Sequence, residues 1–291
     1  MKKFTQIIIV ALVLSGVVCI AYPFAGSMFS YINQLKAINE YNKEVSELSE
    51  EQIEDALKRA EEYGQNLLQN AVSDPFDNFK ERRQQNYSGL NLKEKQIGFI
   101  KIPEINISLP IYNDTEYWSL QKGVGHLENT ALPVGGENTH CVLTGHTGLP
   151  TSKLFTDLDK LKLDDYFYIY ILNKTLAYKV DQIKIVKPNN TKYLQIIKGE
   201  DHITLVTCTP YAINTHRLLV RGIRDDSVLN TGNVVPGVPS EDIVKRKTLW
   251  EMILESKFLI TCIAVCILLL LLIIILIVHL IIRHKKTIKQ K

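Results

Sequence analysis

Two long stretches of this chain carry no charge, one between Lys3 and Lys36 and the other between Lys257 and Arg283. The second, FLITCIAVCILLLLLIIILIVHLII, has 25 residues. As a helix it reaches about 37 Å, enough to cross a hydrocarbon core of about 30 Å. The first follows Lys2 and Lys3 and holds small residues between Ala21 and Ser27, the layout of either a cleaved signal peptide or an uncleaved anchor. Its apolar run IIIVALVLSGVVCIAYPFAGSMF is longer than a signal core, which favours the anchor. An ordinary soluble protein is excluded.

Between these stretches the period changes once. Ser49 and Gln52 form a capping box, after which Ile53, Ala56, Leu57, Ala60, Tyr63 and Leu67 recur on one face. This predicts a helix over 49–72; residues 32–48 are expected to be helical with poorer periodicity. Pro75, in SDPFDNF, breaks any helix. From residue 96 the period is that of strands: Ile105, Ile107, Leu109 and Ile111 alternate with Asn106, Ser108 and Pro110. HCVLTGH, YFYIYIL, LAYKVDQIKIV, HITLVTC and RLLVRGI follow, with Asn173-Lys174 as a hairpin turn between two of them. Many short strands with few helices indicate a mainly β barrel or sandwich. The expected organisation is a cytoplasmic stub and anchor (or signal peptide) over 1–31, a helical arm over 32–95 and a β domain over 96–225. A linker over 226–257, a second membrane helix over 258–282 and a basic cytoplasmic tail over 283–291 complete it.

Charge sharpens this picture. The chain has 34 Lys+Arg against 31 Asp+Glu, a net +3. Lys2, Lys3, Arg283, Lys285, Lys286, Lys289 and Lys291 outweigh that excess by themselves, leaving residues 4–282 at 3 − 7 = −4. No basic footprint for nucleic acid remains on the body. With two spans both termini lie on one side of the membrane, and a start-transfer segment so close to Lys3 puts the middle outside the cell. Cys19, Cys262 and Cys266 fall within the spans, so an exterior body holds only Cys141 and Cys208. Either they form a single disulfide or one thiol is exposed for a reason.

Cys208 ends the run Ile203-Thr204-Leu205-Val206-Thr207, and Arg217 opens RLLVRGI nine residues later. A hairpin between the two runs would set a permanent cation beside the thiol, favouring thiolate and stabilising an oxyanion. Such a nucleophile needs a proton partner, and the body offers His126, His140, His146, His202 and His216. His146 follows the run HCVLT between Gly145 and Thr147-Gly148, which leaves its ring accessible. Strand alternation turns His216 away from Arg217 and Cys141 away from His146, weakening the disulfide. Spacing alone does not choose the base.

The stretch Thr204-Leu205-Val206-Thr207-Cys208 with Arg217 resembles the T-L-x-T-C…R signature of sortases, the cysteine transpeptidases of Gram-positive cell surfaces. TLVTCTPYAINTHRLLVRG, LPVGGENTHCVLTGHTGLP and LFTDLDKL resemble the class C, pilus-assembling branch over about residues 74–225. The resemblance implies an eight-stranded β-barrel with His146, Cys208 and Arg217 as catalytic residues, and Thr207 and Thr209 are substrate-binding candidates beside the thiol. Asp74-Pro75-Phe76 resembles that branch's lid, which would neutralise Arg217 and cover Cys208 until substrate displaces it. Thr147 and Ala212 stand where Arg and Gly are expected in the matching motifs.

The implied substrate is a surface protein ending in an L-P-x-T-G-like sorting signal. Its acyl group would pass through a Cys208 thioester to a lysine amine of the next pilin. The implied partners are such signals, the acceptor lysine and membrane lipid. No Asp/Glu cluster has ligand spacing for a metal, and neither metal nor cofactor is expected. Three rivals remain: a sortase that attaches proteins to peptidoglycan, a non-catalytic tethered adhesion or scaffold domain with one disulfide, and, less suited to so many strands, a papain-like protease.

Overall fold

The computed structural model describes residues 2–65, 67, 90, 92 and 95–231. The expected lid, the linker beyond residue 231, the second membrane helix and the basic tail lie outside the described residues. Two compact units make up the chain, one of them Ser27–Ile243.

Helix α1 runs without interruption from Lys2 to Ser46, passing through Pro23, so the expected anchor and the first part of the arm are one helix. Its stretch from Ser15 is apolar and long enough to cross a membrane by length and composition. Helix α2, Glu50–Gln65, begins with the predicted capping box: the Ser49 N–H donates to Gln52 Oε1 at 2.9 Å and the Gln52 N–H to Ser49 Oγ at 3.2 Å.

Eight strands follow: β1 Gln96–Ile102, β2 Ile107–Tyr112, β3 Val124–His126, β4 Thr139–Thr144, β5 Tyr166–Ile171, β6 Lys174–Val186, β7 Asp201–Thr209 and β8 His216–Arg224. A short helix α3, Tyr117–Lys122, precedes β3. The strands close into a barrel in the order β1-β2-β3-β4-β7-β8-β6-β5. Two neighbouring pairs, β2–β3 and β4–β7, are parallel and the others antiparallel. The eight-stranded barrel expected from the resemblance is therefore the fold.

Local departures from the expected pattern have simple causes. Asn106 takes a left-handed conformation (φ 52°) after the 3₁₀ turn Pro103–Ile105, so β2 starts at Ile107 and Ile105 is a buried turn residue. The β5–β6 turn is Leu172-Asn173, one residue earlier than expected, because Ile171 pairs with Lys174. Leu172 has φ 50°, unusual for a leucine, yet it is buried and its N–H donates to Tyr41 Oη at 2.6 Å. Packing under α1 outweighs local preference there.

β1 and β4 are buried on both faces, for different reasons. Alternate residues enter the barrel, where Ile100, Ile102, Leu109, Leu143, Phe167, Ile203, Leu205 and Val220 belong to the main core. Outside β1, the helices contribute Ile38, Tyr41, Val45, Ile53, Ala56, Leu57 and Ala60 to that core. Phe99 and Tyr170 stack there with centroids 4.4 Å apart, and Tyr41 meets Phe99 edge-on at 6.3 Å. Outside β4, a smaller cluster of Leu127, Val142, Val186, Leu194, Val206 and Leu219 covers the sheet. Amphipathic alternation therefore disappears wherever a second layer lies on the barrel.

Tyr41 ties the helix to two strand ends, since its hydroxyl also donates to the Ile97 carbonyl at 3.1 Å. Tyr41→Phe keeps the ring but leaves both buried backbone groups short of a partner. It should lower stability by about 1–3 kcal/mol in chemical denaturation.

Buried histidines add a pH dependence. Burial pushes His126 and His140 down to about 4. In the neutral state the His140 Nδ1–H donates to the Gln195 carbonyl at 2.8 Å, and the Thr204 hydroxyl, 2.7 Å away, donates to Nε2. The unfolded chain takes up protons near pH 6.5, whereas the folded chain resists until about pH 4. Their contribution is complete above about pH 6.5 and is lost as pH falls toward 4. The melting temperature should drop across that window, and His140→Gln should flatten the slope.

Candidate functional site

Cys208 and Arg217 face each other across the β7–β8 pair, in register as Cys208↔Arg217. Alternation sends Ile203 and Leu205 of β7 and Leu218 and Val220 of β8 into the barrel, and Val206 and Leu219 into the outer cluster. Cys208 and Arg217 share the phase of that outer set, so both lie on the exterior, at its rim. The apolar outer cluster forms the floor beneath them.

His146 comes to the same rim by a parallel register. β4 and β7 pair from Thr139↔Asp201 to Thr144↔Val206, and the Gly145 N–H still donates to the Val206 carbonyl at 3.1 Å. Two residues beyond Thr144, His146 is level with Cys208. The buried Thr207 side chain points inward, and its hydroxyl donates to the Gly145 carbonyl at 2.7 Å. It thus fastens the backbone that leads to His146. Thr209, at the end of β7, pairs with His216.

The other histidines are placed differently. His126, His140 and His202 are buried, while His216 lies one residue out of phase with Arg217, its Nδ1 3.0 Å from Thr215 Oγ1. Half-burial pulls the His146 imidazole below its ordinary range, so its neutral form prevails at neutral pH. Arg217 is buried although charged, and its Nη1 donates to the carbonyls of Asn214 at 3.2 Å and His216 at 3.3 Å. Backbone of the β7–β8 connection therefore orients the guanidinium. That role for Asn214 had no signal in residue type, since a carbonyl does the work.

Neither Cys141 nor Cys208 is in a disulfide. Cys141 pairs with Ile203, five residues from Cys208 along β7, and enters the interior while Cys208 lies outside. At about 3.3 Å per residue the two are about 17 Å apart along the strand, far beyond disulfide reach. The single-disulfide alternative is corrected on this ground, and the scaffold reading loses its staple. Burial also pushes the Cys141 thiol well up, away from thiolate chemistry.

Two loops border the rim. A Cβ built on Gly148, which has φ 75°, would lie 3.2 Å from the Tyr211 ring, so the loop after β4 and the β7–β8 loop pack together. Tyr211 and Ile213 are themselves exposed. Sequence reasoning did not single out Tyr211; the only cue was its place between Cys208 and Arg217. Among the described residues no group of three or more His, Cys, Asp or Glu could hold a metal ion.

A closed barrel bearing a thiol, a guanidinium and an imidazole on one exterior rim is the framework of a protein built for cysteine chemistry at its surface. Residues 100–225 match the sortase domain model. The chain is 30% identical over 115 residues to sortase D of Bacillus subtilis, covering 40% of this chain and 55% of that protein. It spans about half the length of the curated relatives it matches first. A solved structure of Streptococcus pneumoniae sortase C, concerned with catalysis and pilin substrate specificity, superposes with a TM-score of 0.61 at 44% identity, covering 65% of this chain and 96% of that one. The pilus-related sortase C of group B Streptococcus gives 0.60 at 41% identity, covering 64% and 96%. The chain belongs to the sortase family, and these structural neighbours are pilus-class sortases.

Ala212 stands in the β7–β8 loop with φ 63°, where the resembling motif carries glycine. A Cβ in this region costs about 1 kcal/mol. Ala212→Gly should relieve that strain and raise stability by up to about 1 kcal/mol in denaturant titration, less the extra chain entropy of glycine.

Proposed function

We propose that the protein is a membrane-anchored transpeptidase that cleaves an L-P-x-T-G-like sorting signal and passes the acyl group to a pilin lysine amine. One observation carries this reading: the β7–β8 register sets Cys208 opposite Arg217. The parallel β4–β7 register brings His146 level with both. The pilus-class neighbours support the choice of acceptor. The uncharged stretches near each end of the sequence support anchorage with the barrel outside the cell.

In this mechanism the Cys208 proton passes to His146 and the thiolate attacks the threonine carbonyl carbon. Arg217, permanently charged, stabilises the oxyanion. The carbon–nitrogen bond to glycine breaks as the imidazolium gives its proton to the departing amine, leaving a thioester on Cys208. The acceptor amine then attacks the thioester carbon, neutral His146 takes its proton, and the amide forms as the thiolate leaves. The depressed basicity of His146 keeps it ready for the second half of the cycle at neutral pH. The exposed Tyr211 and Ile213 offer apolar surface beside the rim for the peptide.

The test is mass spectrometry of the full-length protein incubated with a sorting peptide. A peptide acyl mass should appear on Cys208 and be absent from Cys208→Ala. With purified pilin the product should be a ladder linked through lysine; pilin joined only to wall peptide would favour the peptidoglycan reading. Arg217→Lys keeps the charge but loses the planar fork and should lower kcat/KM on the order of 100-fold. Acylation of Cys208→Ala would remove the nucleophile assignment.

A further inference from the structure

Helix α1 and the loop that starts at His146 meet in a small buried polar cluster. The Ser30 hydroxyl donates to Ser152 Oγ at 2.9 Å. The Gln34 amide nitrogen donates to Ser152 Oγ at 3.3 Å and to Ser30 Oγ at 3.2 Å. Gln34 is only 7% exposed and Ser152 only 4%. Gln34 shares its helix face with Ile38, Tyr41 and Val45, which are apolar or largely so and join the main core. Leucine there would pack without the desolvation penalty of about 1–3 kcal/mol that a buried amide incurs unless it is bonded. The polar choice specifies what the helix docks against.

What it docks against is the continuation of the site. The loop's two feet are fixed from within: the Phe155 N–H donates to the His146 carbonyl at 3.0 Å, and the Gly148 N–H to Thr156 Oγ1 at 3.1 Å. Leu154 and Phe155 are fully buried in the main core. The intervening residues reach outward, and there Ser152 takes its bonds from α1.

We propose that Ser30 and Gln34 are positioning residues for His146. Through Ser152 they hold the loop that presents the imidazole, which makes α1 part of the reaction apparatus as well as a tether. This inference rests on His146 being the acid–base group. A displacement of about 1 Å at a reacting group costs on the order of 100-fold in rate, so partial loosening is measurable.

The test uses the full-length protein in detergent, comparing Gln34→Leu, Ser152→Ala and Ser152→Thr with the parent. The first two should lose about tenfold in kcat, with KM for the sorting peptide within about twofold. Their acid-side pH limb should move up toward the ordinary imidazole range as His146 becomes more solvated, while Ser152→Thr, which keeps the hydroxyl, should retain most of kcat. Melting temperatures report whether folding is intact. Parental kcat and pH profile in both Gln34→Leu and Ser152→Ala, alongside an inactive His146→Ala, would overturn the positioning role alone. So would a loss of kcat that merely tracks the unfolded fraction with no change in the pH profile. An active His146→Ala would instead remove the acid–base assignment, and the positioning role with it.

Discussion

The site depends on strand register. A parallel pairing between β4 and β7 and an antiparallel pairing between β7 and β8 put residues 146, 208 and 217 at one level of the barrel. A slip of one residue in either ladder would turn one partner inward, because side chains alternate with a period of two. The register is defended twice: by the inward rows of Leu143, Leu205 and Val220, and by the outward row of Val142, Val206 and Leu219. Both faces of these strands are buried, so neither face tolerates the slip. The Thr207 hydroxyl on the Gly145 carbonyl continues the constraint past the end of β4.

The environment of the site follows from the same layering. Half-burial of the His146 ring takes water from the imidazole, which accounts for its lowered basicity. Arg217 tolerates burial because backbone carbonyls of its own loop accept from it. The barrel supplies levels and faces; the loops supply orientation.

Much of this was legible in the residues. The strand runs, the capping box at Ser49 and the change of period near residue 96 each have a local physical cause, and each corresponds to an element. The Cys208–Arg217 pairing could be read from two apolar runs and the length between them. What spacing could not supply was the third partner, because β4 and β7 are separated by some sixty residues and their pairing is a tertiary fact; family resemblance pointed to His146 instead. The Leu172 turn was missed for a related reason. Packing against a distant element, Tyr41 of α1, decides its conformation.

Phe167, Leu205 and Val220 fill the barrel, whereas the thiol and its neighbours are mounted on the outside of the wall. Durability and reactivity are thereby stored in separate compartments of a single sheet. A substitution that disturbs the packed interior is therefore felt as lost stability, whereas the rim loops can change shape without reopening that interior.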